Sequence, residues 1–526
     1  SGFQINGASL ILNDIANVLL VGGAGDDTYQ FDTDSPLGLI SLDEVGGGVD
    51  TLDFSLTETI GISINLDLAT NQIVNSNLSL NLASASTFEN VTGGASDDTL
   101  NGNALANTLI GGPGNDTLFG GLGDDTFVFG TASSAEADVV VEGTNQGSDT
   151  LSFVSLTTAV TLNLTKSIAQ AVHTNRTLQL NSGSTFENIV GGSGNDVLTG
   201  NLLDNSFTGN AGNDTLFGGS GNDTYLFGPA SAAEADIVSE GTNQGSDTLL
   251  FASLTTGVTL NLTKSIVQAV HTNRTLKLNS GSTFENIVGG AGNDVLTGNS
   301  LGNSFTGNAG NDTLSGGSGN DTYIFGPASA AEADIVSEGT NQGSDTLSFV
   351  SLTTGVTLNL TKSIVQAVHT NRTLKLNSGS TFENIVGGSG NDVLTGNLLN
   401  NTFTGNAGND TLFGFNGNDT LTGGAGNDTL FGGLGNDTYV FGTASAAEAD
   451  IVSEGTNQGS DTLSFASLTS GVTLNLTKSI VQAIHTNRTL QLNSGSTFEN
   501  IIGGSGDNVL TGNLLNNVLI SSSGND

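Results

Sequence analysis

The chain has 526 residues, among them 76 glycines and only 4 prolines, with no cysteine, methionine or tryptophan. Few side chains are large, which argues against a deep globular core and for a thin core repeated along an axis; without cysteine there are neither disulfides nor thiolate metal sites. Acidic residues outnumber basic ones 51 to 10, a formal charge of −41, so nucleic acid and membrane insertion are set aside and cations become the expected partners.

Residues 1–30 form an N-terminal edge that keeps few glycines before a first nonapeptide at Gly22; within it Gly2 takes an inward position and Asn17 falls one place early. From there nonapeptides of the pattern G-G-x-G-x-D-x-U-x, with U a large apolar residue, fill blocks at 93–128, 191–226, 289–324 and 387–440, and a partial block at 503–526. Between them lie spacers at 31–92, 129–190, 227–288, 325–386 and 441–502, each 62 residues long. The block at 387–440 is longer than the others by two nonapeptides, which include GFNGNDTLT (414–422). Insertion by pairs implies that two nonapeptides make one turn, since a single one would put every later element on the wrong side. The chain ends at Asp526, the sixth position of a nonapeptide; abutted on Ser1 of a second copy, the joint completes three nonapeptides. Head-to-tail self-association through the N- and C-terminal edges is therefore expected. Without an initiator methionine or a signal-peptide pattern, the sequence is read as a mature form or a fragment.

Within a nonapeptide, glycines at positions one, two and four allow positive φ and tight bends. Position eight is inward, as at Leu198, Phe207, Leu216 and Tyr225, and stacked turns place these residues in ladders at about 4.8 Å. Position six holds Asp27, Asp98, Asp116, Asp125, Asp196, Asp214, Asp223, Asp294, Asp312, Asp321, Asp392, Asp410, Asp419, Asp428 and Asp437. Two such carboxylates roughly 5 Å apart repel by about 3 kcal/mol at an effective dielectric near 20. A ladder of them needs a hard divalent cation among carboxylates and turn carbonyls, and calcium accepts that flexible all-oxygen coordination better than magnesium. The expected fold is all-β: parallel β-roll or β-solenoid blocks alternating with β-rich spacers in an elongated rod, binding multiple Ca2+.

These nonapeptides resemble the repeats-in-toxin (RTX) family, and phrases such as STFENIVGG (184–192) resemble the segments that join such blocks. The resemblance implies parallel β-rolls with calcium between turns two nonapeptides apart. It also implies type I secretion in an unfolded state, folding on meeting extracellular calcium, and a location outside the cell or on its surface. Paired in this way, Asp98/Asp116, Asp196/Asp214 and Asp294/Asp312 make full sites. Asn107, Asn205 and Asn303 face Asp125, Asp223 and Asp321 and give weaker ones. The long block carries Asp392/Asp410/Asp428 and Asp419/Asp437, and Asn508 replaces the aspartate in the last block.

Each spacer alternates apolar and polar residues, as in ADIVSE, SDTLLF, VTLNLT and TLKLN within 227–288. This is strand periodicity, read as about three wider turns of the same solenoid or as a β-rich excursion from it. All ten basic residues fall in spacers two to five and balance charge locally. His173, His271, His369 and His485 recur singly, without the convergent partners a zinc site needs. Asp149, Asp247, Asp345 and Asp461 sit in G-S-D-T turns, and Glu187, Glu285, Glu383 and Glu499 enter each block; either set adds calcium or capping contacts, or is solvated. Phe119, Phe217, Phe413 and Phe431 at position nine either pack under a spacer or form a lateral stripe. Motifs of metalloproteases, serine hydrolases and phosphate-binding loops are missing. The expectation is a structural surface protein, the subunit of a fibre, sheath or layer, rather than an enzyme; the alternative is a stalk fragment of a larger RTX adhesin or toxin.

Overall fold

Threonine–apolar–x triplets end the nonapeptides, and the structure turns them into three-residue strands such as Thr117–Phe119 and Thr126–Val128. In both, the middle residue is buried and its neighbours are half-exposed, the alternation a pleated strand imposes. The computed structural model describes residues 3–5, 8–10, 18–45, 47–143, 147–241, 244–280, 283–339, 343–378, 381–455, 459–494 and 497–526. Gly2 and Asn17 lie outside the described residues. All regular structure among the described residues is β, and no helix is long and apolar enough to cross a membrane.

The chain forms two units, Ser1–Leu250 with Ser265–Thr283, and Phe251–Lys264 with Phe284–Asp526. In the first unit one parallel ladder climbs from Thr28–Phe31 through Thr126–Val128, Thr150–Ser152, Asn188–Val190 and Thr224–Leu226 to Thr248–Leu250. In the second unit the corresponding ladder runs from Asn286–Val288 to Val518–Ile520. Within a block successive turns are 18 residues apart, as between Asn107 and Asp125, so two nonapeptides do make one turn. Each unit is a parallel β-roll.

The spacer strands join the same ladders. From Asp125 the next turns are reached after 24 residues at Asp149 and a further 38 at Glu187, so a spacer contributes two turns rather than three. The remaining residues are spent on the opposite wall. There Arg176–Leu180 ends a parallel ladder, Gln170–His173 folds back on it antiparallel, and Thr161–Asn163 starts the next ladder. Alternation alone reveals strands but not which wall each joins, and the fold-back strand adds residues without adding a turn. The N-terminal edge also departs from expectation. Phe3–Ile5 pairs antiparallel with both Ala8–Leu10 and Thr28–Phe31, where continued nonapeptides would have been parallel.

Position eight and the spacer residues stacked on it build the core. Leu109, Phe127, Leu151, Ile189, Phe207 and Tyr225 follow one another up the ladder and are fully buried, each worth roughly 1.5–3 kcal/mol of apolar burial. In later nonapeptides positions two and four take positive φ, as at Gly424 (109°) and Gly426 (133°), whereas Gly192 and Gly194 in the first nonapeptide of their block do not. Position one does not; at Gly405 a Cβ would fall on the Asp410 carboxylate and lie 2.5 Å from the Gly423 carbonyl oxygen. Its glycine is there for close approach, not for its φ. Phe415 occupies position two with φ 85°, a conformation that is strained for a bulky L-residue. Phe415→Gly is expected to raise stability by roughly 1 kcal/mol, read as a higher urea midpoint at saturating calcium. A lower midpoint would mean that the ring contributes more than the strain removes.

Candidate metal centres

The stacked turns bring the position-six aspartates together through a single recurring hydrogen bond. The Asp98 amide donates to Asp116 Oδ1 at 2.9 Å, Asp196 to Asp214 at 2.8 Å and Asp294 to Asp312 at 2.9 Å. In the long block Asp392 donates to Asp410 at 2.7 Å, Asp410 to Asp428 at 2.9 Å, and Asp419 to Asp437 at 2.8 Å. On the other wall the Asn107, Asn205 and Asn303 amides donate to Asp125, Asp223 and Asp321 at 2.7, 2.7 and 2.6 Å. Every sequence-derived pair therefore sits on successive turns.

What differs is the second oxygen. Oδ2 of Asp116, Asp125, Asp214, Asp223, Asp321, Asp410, Asp419, Asp428 and Asp437 is buried without a hydrogen-bond partner. In the first aspartate of each block, by contrast, both oxygens are used. Asp98, Asp196, Asp294 and Asp392 accept through Oδ2 from the Gly94, Gly192, Gly290 and Gly388 amides at 2.6–2.9 Å. Their Oδ1 accepts from Ile62, Val160, Val258 and Val356. Asp27 likewise accepts from Gly23 at 2.8 Å. The asparagines need no cation: Asn107 accepts from the Asn103 amide and donates to Glu89 O. Asn508 is satisfied in the same way by Gly504, Gly506 and Val472.

Burial dominates the electrostatics. It pushes Asp116 and Asp214 up to about 8 and Asp125, Asp223, Asp410 and Asp419 up to about 7, with neighbouring carboxylates adding to it and backbone amides offsetting part. Asp98, Asp196 and Asp294, hydrogen-bonded through both oxygens, reach only about 6. Leaving a buried carboxylate oxygen unpartnered is expensive. The donor set is oxygen only, anionic and stacked one turn apart, and the blocks contain no lysine or arginine, so a calcium ion fits it.

The spacers place their charges differently. Arg176 is buried and pairs with both Glu136 and Asp138, and its guanidinium lies 5.4 Å from the centre of the Phe129 ring. Arg274, Arg372 and Arg488 repeat the arrangement with Glu234/Asp236, Glu332/Asp334 and Glu448/Asp450. Local charge balance holds for the arginines, though as buried pairs rather than on a surface. His369 Nε2 is 2.6 Å from the Thr354 hydroxyl, and His173 and His485 meet Thr158 and Ser470. No histidine joins a metal-ligating cluster among the described residues. Glu187, Glu383 and Glu499 accept from the Asp149, Asp345 and Asp461 amides at 2.8–2.9 Å, tying each block's entry to the spacer turn before it. Phe413 and Phe431 stack outward at 4.7 Å, while Phe217 is exposed. The sequence did not single out Glu44, Glu142, Glu240, Glu338 and Glu454, which are buried beside the last aspartate of a block. Their only sequence signal is a constant 17-residue offset from that aspartate.

Comparison with curated proteins finds no match. The RTX calcium-binding nonapeptide repeat (4 copies) matches residues 92–127, 183–202, 190–225, 280–300, 297–327, 378–412, 395–430, 413–443 and 494–526. These segments carry RTX calcium-binding nonapeptide repeats, and calcium, at multiple sites, is the ion such repeats bind.

Proposed function

We propose that the chain is a calcium-stabilised extracellular structural protein, the subunit of a surface fibre, sheath or layer joined head to tail. The observation that carries this reading is where the unpartnered carboxylate oxygens lie. They sit buried between successive turns, so a bound ion closes the roll instead of facing a cleft for substrate. The same few contacts recur in every copy, which suits length and many equal contacts better than one reaction centre. Secretion by the type I route and folding outside the cell accord with the RTX repeats, the absence of cysteine and the strong acidity. Extracellular modules of this kind bind calcium at about 10⁻⁴–10⁻³ M.

Head-to-tail joining is supported by the Val518–Ile520 strand, which pairs with Asn500–Ile502 and leaves its Leu519 42% exposed. An open strand edge of this kind invites another strand, and a contact that does not close propagates into a filament. At the other end the joint requires the Phe3–Ile5 hairpin to leave Thr28–Phe31. Electron microscopy in millimolar calcium is expected to show fibres, lost in Leu519→Asp while the calcium-dependent β signal persists. Dispersed monomers at high concentration would overturn assembly. The same edge favours a second reading, in which further turns of a longer adhesin or toxin cover Leu519 and this part is its stiffened stalk; a ligand-binding or catalytic region flanking it in the full gene product would decide for that reading.

A further inference from the structure

On leaving a nonapeptide block the chain stacks its first spacer turn on the last aspartate of each wall, and the two walls resolve the resulting charge differently. On one wall Asp116 meets Asp138, whose Oδ1 accepts the Asp116 amide at 3.0 Å, with Glu136 nearby, and the buried Arg176 pairs with both spacer acids. On the other wall Asp125 meets Asp149 and Glu142. The three side chains are 1–3% exposed and offer oxygens that all lie within 4.8 Å of one another. Among the described residues no lysine or arginine pairs with any of these three. Asp125 Oδ2 and both oxygens of Glu142 are buried without a hydrogen-bond partner.

The first spacer shows what the fold does when the basic partner is absent. It contains no lysine or arginine. Where Glu136 pairs with Arg176 across the ladder, Gly38 pairs with Leu78; where Asp138 pairs with Leu178, Ile40 pairs with Leu80. Val18, opposite Ile40, stands in place of Asp116. On that wall the base and its acids disappear together. On the other wall Asp27, Glu44 and Asp50 remain clustered and buried, although the chain's first basic residue is Lys166. Acids that persist without a base need a positive charge from solution.

We propose that Asp125, Glu142 and Asp149 form a junction site for a divalent cation, distinct from the sites between nonapeptide turns, and that the sets containing Glu44, Glu240, Glu338 and Glu454 repeat it. Oxygen ligands about 2.3–2.6 Å from a calcium ion lie up to roughly 5 Å from each other, which matches the observed cluster. Position-one glycine makes room for it: a Cβ at Gly120 would fall on both the Glu142 and Asp125 carboxylates. The ion latches the first spacer turn to the block, the task the arginine performs on the opposite wall.

The tyrosines make the site measurable. The chain has 4 tyrosines and no tryptophan, and each tyrosine hydroxyl donates to a junction glutamate: Tyr29 to Glu44, Tyr225 to Glu240, Tyr323 to Glu338 and Tyr439 to Glu454. Phe127 occupies the equivalent position beside Glu142. Terbium(III), a calcium surrogate whose emission is sensitised by a tyrosine only at close range, therefore reports chiefly on four of the five junctions. Calcium-displaceable emission excited through tyrosine is expected. Glu454→Gln is expected to lower it by about a quarter and to remove one calcium per chain in equilibrium dialysis. Tyr439→Phe is expected to lower the emission equally with the calcium count unchanged. Phe127→Tyr, which removes no ligand and so serves even if Glu454→Gln fails to fold, is expected to raise the emission by about a quarter. Emission that is absent, or unmoved by Phe127→Tyr in a folded chain, overturns the proposal, as does a calcium count unaffected by Glu454→Gln.

Discussion

Stripped of calcium at pH 8, the chain is expected to lose more than half of its far-ultraviolet β signal, and to regain much of it when the metal-free protein is brought to pH 5. Stacked carboxylates about 5 Å apart repel by roughly 3 kcal/mol per pair at an effective dielectric near 20, and a block repeats that repulsion at every turn. Calcium removes it, and binding that occurs only in the folded state is folding free energy. Protons remove it too. Burial raises Asp116, Asp214, Glu142 and Glu240 to about 8 in the folded chain, whereas unfolded carboxylates titrate near 4. Between those limits the metal-free folded state holds more protons than the unfolded one, so its stability rises as pH falls from about 8 towards 4 and is least above 8. Calcium takes the deprotonated groups, so its affinity changes in the opposite sense over the same window. Circular dichroism on exhaustively demetallated protein checks both. A β signal unchanged by metal removal at pH 8, or no greater at pH 5, would refute charge repulsion as the force that opens the turns.

Arg372→Met is expected to be the most damaging single change in a spacer. The guanidinium pairs with the buried Glu332 and Asp334, covers the Phe325 ring at 5.2 Å and donates to Gly326 O at 3.2 Å, and Arg372 itself is only 3% exposed. Removing it strands two buried carboxylates beside Asp312, and breaking a buried pair from one side costs about 3–5 kcal/mol. The first spacer supplies the compensating design, because its glycine, isoleucine and leucine replace the three spacer charges and Val18 the aspartate. Asp312→Val, Glu332→Gly, Asp334→Ile and Arg372→Leu combined are therefore expected to recover most of the urea midpoint lost by Arg372→Met at saturating calcium. If the fourfold variant is as unstable as the single one, the charges are not coupled as the register indicates.

The β-roll was legible because its signal is periodic. Position eight repeats every nine residues, and the 18-residue step follows from the one long block. The aspartate pairs followed from that step, and so did the weaker asparagine turns, which prove to be satisfied by their own neighbours. The spacers were less legible because alternation marks a strand without saying which wall it joins, and the Gln170–His173 fold-back breaks the count. Glu142 was not found because nothing around it has ligand spacing; only stacking a 24-residue turn on the block brings it to Asp125. Local charge balance was legible for Arg176 but its burial was not, because a buried arginine and an exposed one read alike until register places Glu136 opposite.

The asparagine turn that opens a block and the tyrosine–glutamate turn that closes it have a consequence for length. Asn401 and Tyr439 terminate the long block with the same contacts that Asn303 and Tyr323 make in a shorter one. The additional 18 residues lie wholly between them. Growth can therefore occur by copying an interior segment such as Gly405–Thr422 in tandem, with both end fittings reused untouched, so that the number of ions held per block is an adjustable dimension of the molecule.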